Sequence, residues 1–221
     1  MGIITVDKVN HLYWLGRYAE RVFTTLKEFF VGYDMLIDSK EKDYQDFCQR
    51  VNIPDVYGSN EAFLEKYPFD TEDGNSILSN LIRAYDNAVV MRDEIGTDTL
   101  SYIQLAIYDM KKSIVSRSPL IELQHVIDNL YAFWGCLDDR IDEQEIRNII
   151  KSGRRVERLD LYLRFEMPVE SLQKEMKRLM ERLNKVKFQY NEEAVDKVLT
   201  LLMQKDINYS EAIYQVEQIY Y

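Results

Sequence analysis

The stretch "VDKVNHLYWLGRYAERVFTTLKEFF" runs from Val6 to Phe30, and the spacing of its apolar residues decides the fold. Leu12, Leu15, Ala19, Val22, Leu26 and Phe30 recur at the three- and four-residue intervals of one helix face. Asp7 is the candidate N-cap, and the helix is expected to persist to about Ile37. Inside it, Gly16 to Arg21 reads Gly-Arg-x-x-Glu-Arg, and the same pattern returns at Gly153 to Arg158. At that offset of 137 residues, Leu12, Ala19, Val22 and Leu26 fall on Ile149, Val156, Leu159 and Leu163. Apolar frame, glycine and charges coincide, which is the trace of a duplicated helix.

Outward from this segment the chain continues as helices. Residues 38–68 are less regular, with two prolines and a Tyr-Gly-Ser-Asn turn signal, and are expected to hold short helices and a mobile excursion. Asn75 or Ser76 caps a helix whose face carries Ile77, Leu78, Leu81, Ile82, Tyr85 and Val89. Gly96 closes a helix and Thr97 or Asp98 caps the next, which carries Leu100, Ile103, Ile107 and Met110. Ser118-Pro119 opens another, through Leu120, Leu123, Ile127, Leu130, Trp134 and Leu137. Asp142 caps the second motif helix. Pro168 ends it or opens the two or three amphipathic helices that follow, divided near Tyr190 and Asn208. No convincing strand alternation occurs. The expectation is an all-α fold: one multi-helix bundle over residues 1–221, its two motif helices packed together near a pseudo-two-fold axis.

Composition agrees. Of 221 residues, 46% are hydrophobic, while 8 glycines and 4 prolines are too few for the turns of an all-β chain. The net charge of -10 disfavours nucleic acid and anionic lipid as partners. The locally basic "KEMKRLMERLNKVK" (174–187) reads as the solvated face of an amphipathic helix. The N-terminus lacks an export signal and no window is long and apolar enough for a span, so a cytoplasmic protein with no membrane contact is expected. Cys48 and Cys136, without a CxxC partner, are expected as buried free thiols. The tyrosines Tyr102, Tyr108, Tyr131, Tyr162 and Tyr214 fall at core-like helical positions, and the terminal "YQVEQIYY" reads as an ordinary last helix.

In each motif, arginine, glutamate and arginine at i, i+3 and i+4 share one helix surface. A water-facing salt-bridge row is the plain reading of either copy. Two features argue for more. Tyr13 and Trp14 wall the first charged face, and Gly16 sits in a helix interior, where glycine costs roughly 1 kcal/mol against alanine. Such a glycine admits a close backbone or ligand. If the two helices meet, Arg17, Glu20, Arg21, Arg154, Glu157 and Arg158 form one cluster. It is either a core ion network that fixes register, or a site whose surplus arginines hold a carboxylate or phosphate.

At these residues the chain resembles the bacterial alpha-E family, helical proteins named for a recurring Glu-Arg motif. "LYWLGRYAER" and "GRRVER" carry the likeness, with "VVMRDEIGTDTLSYIQLAIYDM" and "AFWGCLDD" between them. It spans roughly Val6 to Leu163, and residues 168–221 are less family-like. The resemblance implies an all-helical protein working beside an ATP-grasp ligase, with a transglutaminase-like or amidotransferase-like protein in some systems, on a peptide-like product. It carries over the motif residues, and Arg92 and Asp93 less directly. It supplies no catalytic residue.

Other signatures of catalysis are missing: there is no P-loop and no Gly-x-Ser-x-Gly elbow. Glu122 and His125 have the Glu-x-x-His spacing of di-iron bundles, but Lys8 stands three residues before His11, so a second half fails and neither metal nor cofactor is expected. His11, one turn before the cluster, could assist a ligand or simply cap or pack. Three accounts stay open. The first is a non-catalytic accessory protein whose cluster binds an anionic small molecule or peptide. The second is an enzyme using Glu20 or Glu157, although flanking arginines suit a permanently ionised carboxylate better than a general acid. The third is a structural interaction protein. The sequence leaves a homo-oligomer open.

Overall fold

The computed structural model describes residues 4–38 and 44–220. Among them lie eleven helices and no strand, as the helical periodicity requires. The first is α1 (Val6–Asp38). Two short helices, α2 (Tyr44–Val51) and α3 (Asn60–Lys66), occupy the region expected to be irregular; its residues 39–43 lie outside the described residues. Then come α4 (Ile77–Val90), α5 (Arg92–Ile95), α6 (Thr97–Val115), α7 (Pro119–Arg140) and α8 (Gln144–Arg164). The chain closes with α9 (Val169–Leu183), α10 (Glu192–Leu202) and α11 (Tyr209–Glu217).

The apolar stripe of α1 (Leu12, Leu15, Ala19, Val22, Leu26) is fully buried, and so are Ile149, Val156, Leu159 and Leu163 on α8. These stripes face each other, and α1 packs on α8 more extensively than on any other helix, with α4 next. The hairpin of α6 and α7 leans on α4 and α1, while α9 and α11 cover the other side of α8. Phe63 lies parallel to Tyr67 at 4.8 Å, at the centre of an aromatic group that ties α3 to Phe29 of α1.

Several helix starts differ from the sequence reading. α1 begins at Val6, because the Thr5 hydroxyl accepts from Lys8 N and takes the capping place expected of Asp7. Gly96, at φ 79, ends α5 and is also the N-cap of α6, so Thr97 and Asp98 are already helical and cap nothing. α8 starts after Glu143 and not after Asp142; buried Ile141 holds the preceding turn extended. Ser76 is the cap of α4, accepting from Ser79 N at 3.0 Å. The buried face of α4 continues through Ala84 and Ala88, where small residues let helices approach, and this turns Val89 to solvent at 44% exposure. Tyr108, Tyr131 and Tyr214 are exposed because other residues form the inward faces of their helices: Ile103, Ala106 and Met110 on α6, Ile127, Leu130 and Trp134 on α7, and Ala212 and Val216 on α11. Tyr102 and Tyr162 are half-buried. Cys48 is a buried free thiol and Cys136 a half-buried one. Asn191 and Asn208 cap α10 and α11 at the expected divisions.

The two motif glycines sit where α1 and α8 cross. A Cβ on Gly16 would overlap the Ile150 carbonyl oxygen and lie 3.0 Å from Arg154 N. A Cβ on Gly153 would overlap the Tyr13 carbonyl oxygen and lie 3.3 Å from Arg17 N. Tyr13 and Ile150, like Arg17 and Arg154, are equivalents at the 137-residue offset, so the contact is reciprocal and the expected pseudo-two-fold is real. Gly135 in α7 has nothing within 4 Å of its would-be Cβ. Gly16→Ala and Gly153→Ala should therefore each destabilise by about 3 kcal/mol through forced separation of the helices. Gly135→Ala should stabilise by roughly 0.5–1 kcal/mol through helix propensity alone. Urea unfolding followed by circular dichroism measures both signs.

Candidate functional site

Close approach at the glycines lets short-range ion pairs cross between the helices. Glu20 of α1 accepts from Arg158 Nε at 2.6 Å, Arg158 Nη2 at 2.9 Å and Arg154 Nε at 3.0 Å, all on α8. Thr24, one turn on, adds its hydroxyl at 2.9 Å. Glu157 of α8 accepts from Arg17 Nε at 2.6 Å and Arg21 Nε at 2.5 Å, both on α1. Each glutamate thus pairs with the arginines of the opposite motif, and not with those one turn away on its own helix. Glu20 and Glu157 are 0% and 1% exposed. The plain water-facing row fails here: the six residues form one buried, reciprocal clasp.

The surroundings of the two glutamates differ. Beside Glu157 lies Asp160, which is buried, holds Arg164 at 3.0 Å and reaches Arg21 Nη2 at 3.9 Å. Burial alone would raise the pKa of Glu157, but Arg17 and Arg21 overcome it and hold the carboxyl below its ordinary value. Asp160 moves the other way, raised by burial and then by the Glu157 charge. On the Glu20 side, burial pushes Arg154 down to about 10 against the pull of Glu20, with Arg158 and Arg155 adding to the fall. Arg154 lies over the Trp134 ring, 4.0 Å from its centroid. Glu175 of α9 accepts from Arg155 and Arg178, each at 2.6 Å.

Of the other residues singled out in the sequence, Trp14 and Tyr13 adjoin the clasp, with the Arg17 guanidinium 5.2 Å from the Trp14 ring centroid and its charge acting on the Tyr13 phenol, and the rest stand apart. Tyr13 contributes its carbonyl to the glycine crossing, while its buried ring packs 4.3 Å from Tyr220 and its phenol is pushed up to about 12 by burial. Tyr220 anchors the last residues of the chain by donating to Asn10, although Tyr221 is outside the described residues. His11 Nδ1 meets Asn87 Oδ1 at 2.9 Å, which bridges α1 to α4. Arg92 and Asp93 are exposed on α5, where Arg92 Nε bonds Thr97 Oγ1 at 3.3 Å, and they do not join the motif residues. Glu122 and His125 meet Asp109 of the facing helix within 4.8 Å, a spacing that could hold a metal ion, and the Lys112 ammonium lies 2.9 Å from Glu122. Asp160, Arg164, Arg155 and Glu175 are additions from the structure. Asp160 and Arg164, at i+3 and i+7 from Glu157, continue the motif's own helix spacing, and that pattern was available in the sequence.

None of four surface clefts is lined by a motif residue. The largest, about 560 Å³, lies between Leu183, Phe188, Tyr190, Ile219 and Tyr220 at the C-terminal end. No helix among the described residues is long and apolar enough to cross a membrane.

The Alpha-E family model, described as a predicted alpha-helical domain with a conserved ER motif, matches residues 8–167. The chain belongs to the Alpha-E family. Both Glu-Arg motifs of this Alpha-E protein lie inside the matched segment, while α9, α10 and α11 lie beyond it. No curated protein and no solved structure matches the chain.

The depressed pKa of Glu157 gives a signed expectation. A carboxyl held below its ordinary value of 4.5 contributes stability above that pH and loses it as pH falls through the folded pKa. Glu157→Gln should cost about 3 kcal/mol at pH 7, since two arginines lose their buried counter-charge. The gap between wild type and variant should narrow steadily in acid below pH 4.5. Thermal melts from pH 7 to pH 3 check this, and a gap that stays constant contradicts the pairing.

Proposed function

We propose that this Alpha-E protein is a non-catalytic helical accessory protein that acts in the cytoplasm with an ATP-grasp ligase, in the synthesis or modification of a peptide-like product. The single observation behind the non-catalytic part is the buried pairing of both motif glutamates with arginines of the opposite helix. A general acid or base must present a lone pair or proton to substrate at hydrogen-bond distance. Glu20 and Glu157 are buried, and their oxygens are occupied by guanidinium groups of the opposite helix. The enzyme reading through either residue therefore finds little support.

The reciprocal pairing favours a structural task for the clasp itself. It fixes the register of α1 against α8 and so presents one defined outer surface to a partner. The ligase partnership, and a transglutaminase-like protein as a further partner, rest on the family resemblance. The paired Arg/Glu cluster also has an anionic group to bind in this proposal, and that task falls on the Glu20 half, where Arg154 and Arg158 outnumber the single carboxylate.

Reconstitution with an ATP-grasp ligase from the same organism tests the proposal. The chain alone should release no ADP from ATP, and adding it to the ligase should raise ligase turnover or bring the two into one chromatographic peak. Glu20→Gln and Glu157→Gln, taken as their natively helical fraction, should support that turnover within about twofold. Loss of about 10²-fold or more with complex formation intact would mean that a motif carboxylate takes part in proton transfer, and would sink the non-catalytic reading.

A further inference from the structure

The clasp is symmetric in its six motif residues but not in what surrounds them. Around Glu157 the charges balance. Arg17, Arg21 and Arg164 face Glu157, Asp160 and Glu217. The equivalents at the 137-residue offset differ at four places around Glu20. Phe23 stands where the other half has Asp160, and Lys27 where it has Arg164. Lys151 and Arg155 stand where it has Trp14 and Tyr18. Where Arg21 has Asp160 at 3.9 Å, its counterpart Arg158 has the face of the Phe23 ring, 5.7 Å away, and the more distant charge of Glu175. The Glu20 half has lost one anion and gained two cations.

α9 adds to the imbalance. Its Arg178 and Arg182 belong to the basic run whose charges were expected to point to water. Arg178 instead shares Glu175 with Arg155, and half-buried Arg182 bonds Asn148 Oδ1 at 3.1 Å. Along this seam six cations, Lys151, Arg154, Arg155, Arg158, Arg178 and Arg182, are met by three carboxylates of the described residues, Glu20, Glu175 and Asp138. This surplus lies in a chain of net charge -10. Burial lowers the pKa of Lys151, Arg154 and Arg155, and the neighbouring cations lower it further.

Unused donors mark the same seam. Arg155 Nε, Arg182 Nε and Trp134 Nε1 are buried and have no acceptor among the described residues. Trp134 is 4% exposed and lies under Arg154; Asp138, one turn further along α7, pairs with Lys151. A buried N–H without an acceptor costs roughly 1–3 kcal/mol. Lys151 links two of these donors, pairing with Asp138 one turn from Trp134 and feeling the charges of Arg154 and Arg182, and donors and cations together there call for an acceptor that carries negative charge. The side chains keep partial access to solvent, with Lys151, Arg154 and Arg155 12%, 13% and 14% exposed and Arg178 40%.

We infer that the seam between α7, α8 and α9 binds one oxyanionic group, a carboxylate or a phosphate, through Arg182 and Lys151, with the Trp134 indole as a further donor. Planar guanidinium forks match both oxyanions. The inference rests on the reading that this protein holds an anionic group without transforming it. Its test uses the isolated chain, so its outcome is independent of the ligase.

The probes are inorganic phosphate and N-acetylglycine, the latter standing for a peptide C-terminus, each titrated at constant ionic strength against chloride. Calorimetry should give one saturable site for at least one probe, with Kd about 1 mM or tighter. In two-dimensional NMR the indole N–H signal of Trp134, assigned by its loss in Trp134→Phe, should move with the probe, while that of Trp14 stays fixed. Arg182→Gln and Lys151→Gln should each weaken binding at least tenfold, and the α6 control Lys112→Gln should leave it unchanged. Which probe binds identifies the oxyanion. No saturable binding of either probe, an effect that chloride reproduces, or binding that survives both seam variants would overturn the assignment. Should Lys151→Gln fail to fold, Arg182→Gln and the indole shift decide.

Discussion

Everything in this fold that concerns the motifs depends on how closely α1 and α8 approach at Gly16 and Gly153. Without side chains at those two places, each backbone rests on a carbonyl of the other helix. Only then are residues one, four and five positions further along near enough to exchange guanidinium and carboxylate across the interface. The glycines and the charges are therefore one device. The glycines cost helix propensity, and the close crossing they allow places two otherwise prohibitive buried carboxylates within reach of four arginines. A buried ion network adds little net stability over an apolar one. Its effect is on alternatives: sliding α1 by one turn, about 5.4 Å, would leave each buried glutamate with at most one of its two arginines.

The pseudo-two-fold explains why the pairing is crossed. Glu20 could bond Arg17 or Arg21 on its own helix, as the i, i+3 and i+4 spacing allows. In the structure those arginines reach across to Glu157, and Glu20 receives Arg154 and Arg158. Intrahelical pairing would satisfy charges without joining anything. Crossed pairing satisfies the same charges and makes each motif incomplete without the other. A single copy would have no such use, which is a physical reason for the pattern to occur twice at one frame.

Much of this was legible in the sequence, and the parts that were not share a cause. Helical periodicity located the long helices, and the common frame of Leu12 to Leu26 and Ile149 to Leu163 foretold that α1 and α8 face each other. What periodicity cannot convey is which side of a stripe turns inward when small residues compete with large ones. Ala84 and Ala88 line the core where Tyr85 and Val89 were expected, because helix approach rewards small volume as well as apolarity. Caps failed at Asp7 and Asp142 because neighbouring Thr5 and buried Ile141 set the local geometry first. The motif residues were found, but their neighbours were not: Glu175 and Arg182 lie in another helix, and no spacing rule links α9 to α8.

That last gap bears on where specificity resides. The family-matched segment ends at residue 167 and contains the whole clasp, yet Glu175, Arg178 and Arg182 come from α9 beyond it. Remove α9 in thought, and Arg155 loses its only carboxylate among the described residues while Arg154 and Arg158 keep Glu20. The clasp is thus self-sufficient, and the charge imbalance beside it is set jointly by α8 and by a helix outside the shared segment. On the proposed assignment, the Glu-Arg motifs hold a common frame and α9 tunes what that frame grips. A protein with the same clasp and a different α9 would then differ in ligand while keeping the register of α1 and α8 unchanged.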